Sequence, residues 1–349
     1  MLRKIMAMTS QGSTQTVING IETIIYGVED VALCTRYFID FGLPLTSSTP
    51  QESSFELAEG SQVIIRPLEE ARTEGQSLVG YGVQKVIYGV SSQRHLEALV
   101  AKVGVDRDVR RDPDGSAHFL DDDGIPLGLR VFARQLVTGA PDPLNSHDNI
   151  QRLNIHRKWR TQARPKTIQH VVFTSPDPER GFAFYRDRLG FRLSDVQRGF
   201  GIFARADGCK SHHTMYWFKA DLPFPGLDGK VRFNHTNFGV EDLDEVMTGA
   251  NYMQRRGWEK SHWGLGRHRI GSSLFLYLPC PAGGEAEYGT DSDALDDSWV
   301  PRVWHSSFGT ASWVSNLPEF LMDDAPWEVQ FHEEHVPPAT SAKKADKKW

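Results

Sequence analysis

The chain has 349 residues, 39% of them hydrophobic and 24% charged, with a formal net charge of -6. At roughly 100–200 residues per domain, that length predicts two domains. No apolar run approaches the ~20 residues of a membrane span, and the acidic balance argues against a nucleic-acid partner.

The opening stretch, MLRKIMAMTSQGSTQ, has two early cations but no apolar core of signal-peptide length. It reads as a short disordered lead-in, and a cytoplasmic location follows by default. Cys34, Cys209 and Cys280 are an odd, widely spaced set, with neither paired metal spacing nor a disulfide framework. They are expected to be inert reduced thiols. Six of the 13 histidines fall within residues 170–268, while the first 140 residues hold only His95 and His118. One half of the chain is therefore set up for imidazole chemistry and the other is not.

Four segments open with a short apolar strand, turn, and run into an amphipathic helix. In chain order they are IETIIYGVEDVALCTRYFIDFGLPL (21–45), VQKVIYGVSSQRHLEALVAKVGV (83–105), IQHVVFTSPDPERGFAFYRDRLGFRL (168–193) and FNHTNFGVEDLDEVMTGANYMQRRGW (233–258). Asp30, Asp242 and either Ser175 or Asp177 are candidate helix N-caps. Phe182, Tyr185 and Leu189 form an apolar stripe in the third helix, which Gly190 ends. Alternating apolar stretches bounded by Gly, Asp and Pro follow each helix and predict strands and hairpins.

The unit is thus β-α-β-β-β, used four times. The predicted fold class is α+β, two domains each of two βαβββ modules closing an incomplete barrel around a shared cavity. The boundaries are 17–136 for a non-catalytic N-terminal domain, 137–165 for a linker rich in Pro, Asn and charge, and 166–295 for a metal-binding C-terminal domain. Residues 296–349 form an extension ending in a basic tail, PPATSAKKADKKW, expected to be disordered.

His170 and His235 hold matched positions near the start of the first strand of units three and four; Glu22 and Lys85 hold them in units one and two. Two-fold pairing of units brings the two histidines together across the cavity. Strand alternation turns Gln169, Val171, Asn234 and Thr236 away. In AGGEAEYG, Glu285 and Glu287 share a face, so periodicity leaves both open as a third ligand. Two histidines and one carboxylate on one face form the facial triad of non-haem iron oxygenases, which leaves coordination positions free.

Residues 266–289, GRHRIGSSLFLYLPCPAGGEAEYG, resemble the signature of type I extradiol ring-cleaving dioxygenases of the vicinal oxygen chelate superfamily. Gly266, His268, Leu276, Tyr277, Pro281, Gly283 and Glu287 fit it in order, and its spacing selects Glu287. Cys280 and Gly271 depart from the usual pattern, the latter where some close relatives carry an aspartate. The resemblance covers about residues 17–295. It implies a vicinal oxygen chelate fold and His170, His235 and Glu287 as ligands of Fe(II), with Mn(II) the alternative metal. It also implies His213, rather than the adjacent His212, as acid–base group, and His268 and Tyr277 as partners of the substrate oxygens. A catecholic small molecule and O2 are the implied substrates, a muconic semialdehyde-type compound the product, and a homo-oligomer the expected assembly.

Three rivals share the fold. A glyoxalase-like site needs a fourth ligand from unit three, where Tyr216 and Phe218 stand instead of an acid. Hydroxyphenylpyruvate-type dioxygenases end in a gating helix, for which the basic tail is poorly suited. Drug-sequestering relatives hold aromatic ligands without iron. Arg267, Arg269, Trp217 and Trp263 are candidates for shaping the pocket, its rim or the core.

Overall fold

The structure, a computed structural model, describes residues 17–332; the expected lead-in and basic tail lie outside the described residues. The first module runs β1 (Ile18–Val28), α1 (Val31–Phe41), β2 (Leu45–Ser48), β3 (Ser53–Glu56) and β4 (Gln62–Pro67), followed by a short α2 (Leu68–Ala71). The second is β5 (Gly82–Val90), α3 (Gln93–Val103), β6 (Arg110–Arg111), β7 (Ala117–Leu120) and β8 (Pro126–Val131). The third is β9 (Thr167–Ser175), α4 (Pro178–Phe184), β10 (Arg192–Gln197), β11 (Gly201–Arg205) and β12 (Met215–Lys219). The fourth is β13 (Phe233–Gly239), α5 (Leu243–Arg255), β14 (Gly266–Arg267), β15 (Leu274–Pro279) and β16 (Glu285–Thr290). All four have the β-α-β-β-β order read from the sequence.

Local chemistry explains the helix ends. Asp30, Asp177 and Asp242 each accept from the backbone N–H three residues on, at 2.8, 3.1 and 2.9 Å. Gly42 ends α1 with φ 106°, and a Cβ there would meet the Ala163 carbonyl oxygen at 2.1 Å. Phe182, Tyr185 and Leu189 are buried as the stripe predicted. The sequence did not anticipate that α4 loosens into a π-turn over Tyr185–Leu189 before Gly190 stops it.

Two sheets result, and they repeat one pairing plan. β1 pairs antiparallel with β5, and each pairs parallel with the last strand of its own module, β4 or β8. In the second sheet β9 pairs antiparallel with β13, and these pair parallel with β12 and β16. A single apolar cluster runs through both halves. Tyr288 stacks on Phe41 at 4.0 Å, and Glu59 accepts from the Ile168 N–H at 2.7 Å. Residues 137–165 contain no helix or strand; Lys158 and Arg157 in this segment pair with Glu241 and Asp244.

The C-terminal extension is structured where the sequence offered no reading. β17 (Arg302–Trp304) and β19 (Val329–Phe331) extend the second sheet beyond β10, and β18 (Trp313–Val314) joins β14 at the opposite edge. α6 (Ser306–Thr310) and a 3-10 turn (Glu319–Leu321) lie between these strands. No helix of the described residues is long and apolar enough to cross a membrane.

The halves meet at a buried acid. Asp121 accepts from the Tyr185 hydroxyl at 3.2 Å, and burial beside Asp123 pushes its carboxyl up to about 8. An unfolded aspartate titrates near ~4. Between about pH 4 and 8 the folded state therefore holds more protons, and this group lowers stability as pH rises through that window. Asp121→Asn should flatten the fall in the urea midpoint between pH 5 and pH 8. An unchanged slope would show that Asp121 is ionised in the folded protein.

Candidate metal centre and its cavity

The sheet register assembles the site. His170 on β9 lies opposite Asn237 on β13, Asn237 opposite Glu287 on β16, and Glu287 opposite Tyr277 on β15. His235 sits two residues from Asn237 on β13, diagonal to His170 and so on the same face. The Nε2 atoms of His170 and His235 are 3.3 Å apart, and Oε2 of Glu287 lies 3.3 and 3.4 Å from them. All three side chains are buried.

The triangle fits a metal ion. Bonds of roughly 2.1–2.2 Å at right angles set adjacent ligands roughly 3 Å apart. Oε2 of Glu287 has no hydrogen-bond donor among the described residues, an unusual state for a buried carboxylate oxygen. Burial holds both imidazoles down at about 3, and it pushes the Glu287 carboxyl up. The histidines are therefore neutral, the form that ligates. Nδ1 of His235 lies 2.6 Å from Oδ1 of Asn234, which can only accept. That contact places the proton on Nδ1 and leaves Nε2 bare. Among the described residues this is the group of three His, Cys, Asp or Glu side chains able to hold a metal.

Asn234 corrects the alternation argument, which turned it away from the site. The β13–β9 register shifts between Phe233 and His235, so a bulge at Asn234 swings its side chain alongside His235. Glu285 pairs in register with His235 and lines the cavity, but it is outside the triangle.

The two adjacent histidines separate by partner. His212 is 1% exposed, with Nε2 3.0 Å from Oδ2 of Asp195. Asp195 fixes that proton, so Nδ1 of His212 accepts from Nδ1 of His213 at 3.1 Å. Nε2 of His213 is left with its lone pair. The His213 ring stacks on His170 at 3.9 Å, and burial with the surrounding histidines holds its pKa well below normal. Gly271, with φ 72°, leans on this pair: a Cβ there would meet the His212 ring at 2.9 Å.

A second fixed tautomer lies opposite. Nδ1 of His268 donates to the Thr310 carbonyl at 2.7 Å, so its Nε2 accepts from the Tyr277 hydroxyl at 3.0 Å. Thr310 belongs to the C-terminal extension, whose role the sequence left blank.

The donors face a cavity of about 650 Å³. Its rings form a closed circuit. From His235, contacts pass to Tyr277, Trp263 and Phe320, the last from the extension. They continue through Phe224, Phe218 and Tyr216, then Phe203 and His213, back to His170. Trp263 is thus a pocket residue. Trp217 instead packs on Tyr185 at 4.7 Å in the core. Arg267 and Arg269 point to backbone carbonyls outside the cavity. The three cysteines are buried and free, and burial raises their thiols.

With this geometry in hand, residues 167–273 match the Glyoxalase/Bleomycin resistance protein/Dioxygenase superfamily. Metapyrocatechase 2 of Cupriavidus necator is 27% identical over 218 residues, 62% of this chain and 65% of the relative. An iron-dependent extradiol dioxygenase of Rhodococcus jostii is 33% identical over 147 residues, 39% of this chain and 47% of the relative. The aligned stretches span less than two thirds of either relative's length. The crystal structure of a Mn(II)-bound glyoxalase from Novosphingobium aromaticivorans superposes with TM-score 0.66 at 21% identity, over 89% of this chain and 96% of that one. The fold is the vicinal oxygen chelate fold.

Asp195→Ala would leave the buried His212 N–H without an acceptor. The expected cost is about 2 kcal/mol by chemical denaturation, and a loss under 0.5 kcal/mol would contradict the Asp195–His212 contact.

Proposed function

We propose that this chain, whose residues 167–273 belong to the Glyoxalase/Bleomycin resistance protein/Dioxygenase superfamily, is an extradiol dioxygenase. It would cleave a catechol-type ring with O2, using Fe(II) held by His170, His235 and Glu287. The observation that carries this reading is the triangle of buried donor atoms facing a cavity. Relatives named extradiol dioxygenase and metapyrocatechase support it.

When bound, an ion with three protein ligands supplies open positions and electron transfer between an aromatic diol and dioxygen. The chain's own residues do the rest. Nε2 of His213, with its lone pair free, can take a proton from the diol and return it as the O–O bond breaks. Its ring stacks on His170, beside the metal triangle. The Tyr277 hydroxyl, its proton held by Nε2 of His268, offers oxygen lone pairs to a diol hydroxyl. The aromatic walls exclude water while both atoms of O2 enter the product. The ring opens beside the two hydroxyls, giving a muconic semialdehyde-type compound.

A glyoxalase reaction would call for a fourth protein ligand, whereas the cluster among the described residues has three. On β12, opposite, Tyr216 and Phe218 stand where an acid would be needed.

After anaerobic reconstitution with Fe(II), about one iron per chain and O2 uptake on adding catechols are expected. His170→Ala or Glu287→Ala should hold less than roughly a tenth of that iron, and Asn234→Ala should weaken binding roughly 10- to 100-fold. Full iron occupancy in the first two variants would remove the assignment. His213→Phe should keep its iron and slow turnover roughly 100-fold or more; normal turnover would exclude His213.

A further inference from the structure

We infer that the substrate is an uncharged aromatic diol with a second ring, fused or biaryl, and that carboxylated catechols are excluded. This rests on the dioxygenase reading and adds the substrate class to it.

Three observations converge. The first is size. The cavity encloses about 650 Å³, well within the range of ligand sites, and a single ring at the donors leaves most of it unfilled.

The second is polarity. A cluster of hydrogen-bonding groups surrounds His170, His235, Glu287, His213 and Tyr277. Much of the remaining lining is rings in mutual contact. Phe224 meets Phe320 at 5.0 Å and Phe200 at 5.5 Å, Phe218 stacks on Phe224 at 6.2 Å, and Trp263 meets Phe320 at 5.9 Å. Such walls match a second flat ring by edge and face contacts.

The third is charge. Among the described residues the lining contains Glu285, Glu287 and Glu319 and no lysine or arginine. The nearest arginines in sequence are engaged elsewhere. Arg267 donates to the Ser272 carbonyl and to Asp291, and Arg269 donates to the Phe308 carbonyl while stacked 4.1 Å above its ring. A substrate carboxylate would lose its water without gaining a counter-ion, and exposed Glu319 would repel it at the rim.

The test uses the Fe(II)-reconstituted full chain. Calorimetry under argon reads binding, and O2 uptake reads turnover. The probes are a vicinal dihydroxybiphenyl, a vicinal dihydroxynaphthalene, catechol, dihydroxybenzoate and dihydroxyphenylacetate. The bicyclic diols should bind at least about tenfold tighter than catechol and about 100-fold tighter than either carboxylate. Phe320→Ala should narrow the bicyclic-over-catechol preference about tenfold. Glu319→Lys should raise the affinity for the carboxylates relative to the bicyclic diols. Equal or tighter binding of catechol or a carboxylate overturns the inference, even if these are turned over. Tight bicyclic binding without O2 uptake would instead sustain the occupant and sink the reaction.

Discussion

The site depends on one constraint, the antiparallel pairing of β9 with β13 across the axis that relates two copies of one module. That pairing puts His170 and His235 on one face at a diagonal, and parallel β16 adds Glu287 in the same cross-strand row. A one-residue slip would turn a histidine to the other side of the sheet. The shared apolar core holds the register, with Tyr288 on Phe41 and Glu59 on the first turn of β9. The N-terminal sheet repeats the pairing plan without the ligands. There Glu22 is buried against Arg130 at 3.0 Å, so its charge is already answered.

Two short relays fix protons on either side of the His170–His235–Glu287 triangle. On one, Asp195 orients His212 and His212 orients His213, leaving a bare Nε2. On the other, the Thr310 carbonyl orients His268 and His268 orients Tyr277. Each relay ends on a backbone or carboxylate oxygen that can only accept, which removes tautomeric freedom from the groups facing the cavity. The C-terminal extension anchors the second relay and supplies Phe320 to the aromatic wall. It is therefore part of the site, a role that the poor prospects of the basic tail as a gating helix did not suggest.

Much of this was legible in the sequence. Within the first and fourth segments the strings YGVEDV (26–31) and FGVEDL (238–243) nearly coincide and mark the repeat, which explains why histidines 65 residues apart are neighbours. Capping aspartates marked the helix starts. The choice of Glu287 over Glu285 came from resemblance to a family signature, since strand alternation treats the two alike. Strand alternation turns Asn234 away because period-two reasoning has no place for a bulge. Asp195 and Thr310 carried no signal, because each acts on a histidine far away in sequence. The same limit hid the fate of Arg267 and Arg269, whose partners are mostly backbone carbonyls.

Two imidazoles and one carboxylate are proposed to hold one ion. X-ray absorption spectroscopy of the anaerobic Fe(II)-loaded protein tests it most directly. A first shell of nitrogen and oxygen only is expected, with multiple-scattering features of two imidazoles. A sulfur scatterer, or an imidazole count other than two, would contradict that ligand set.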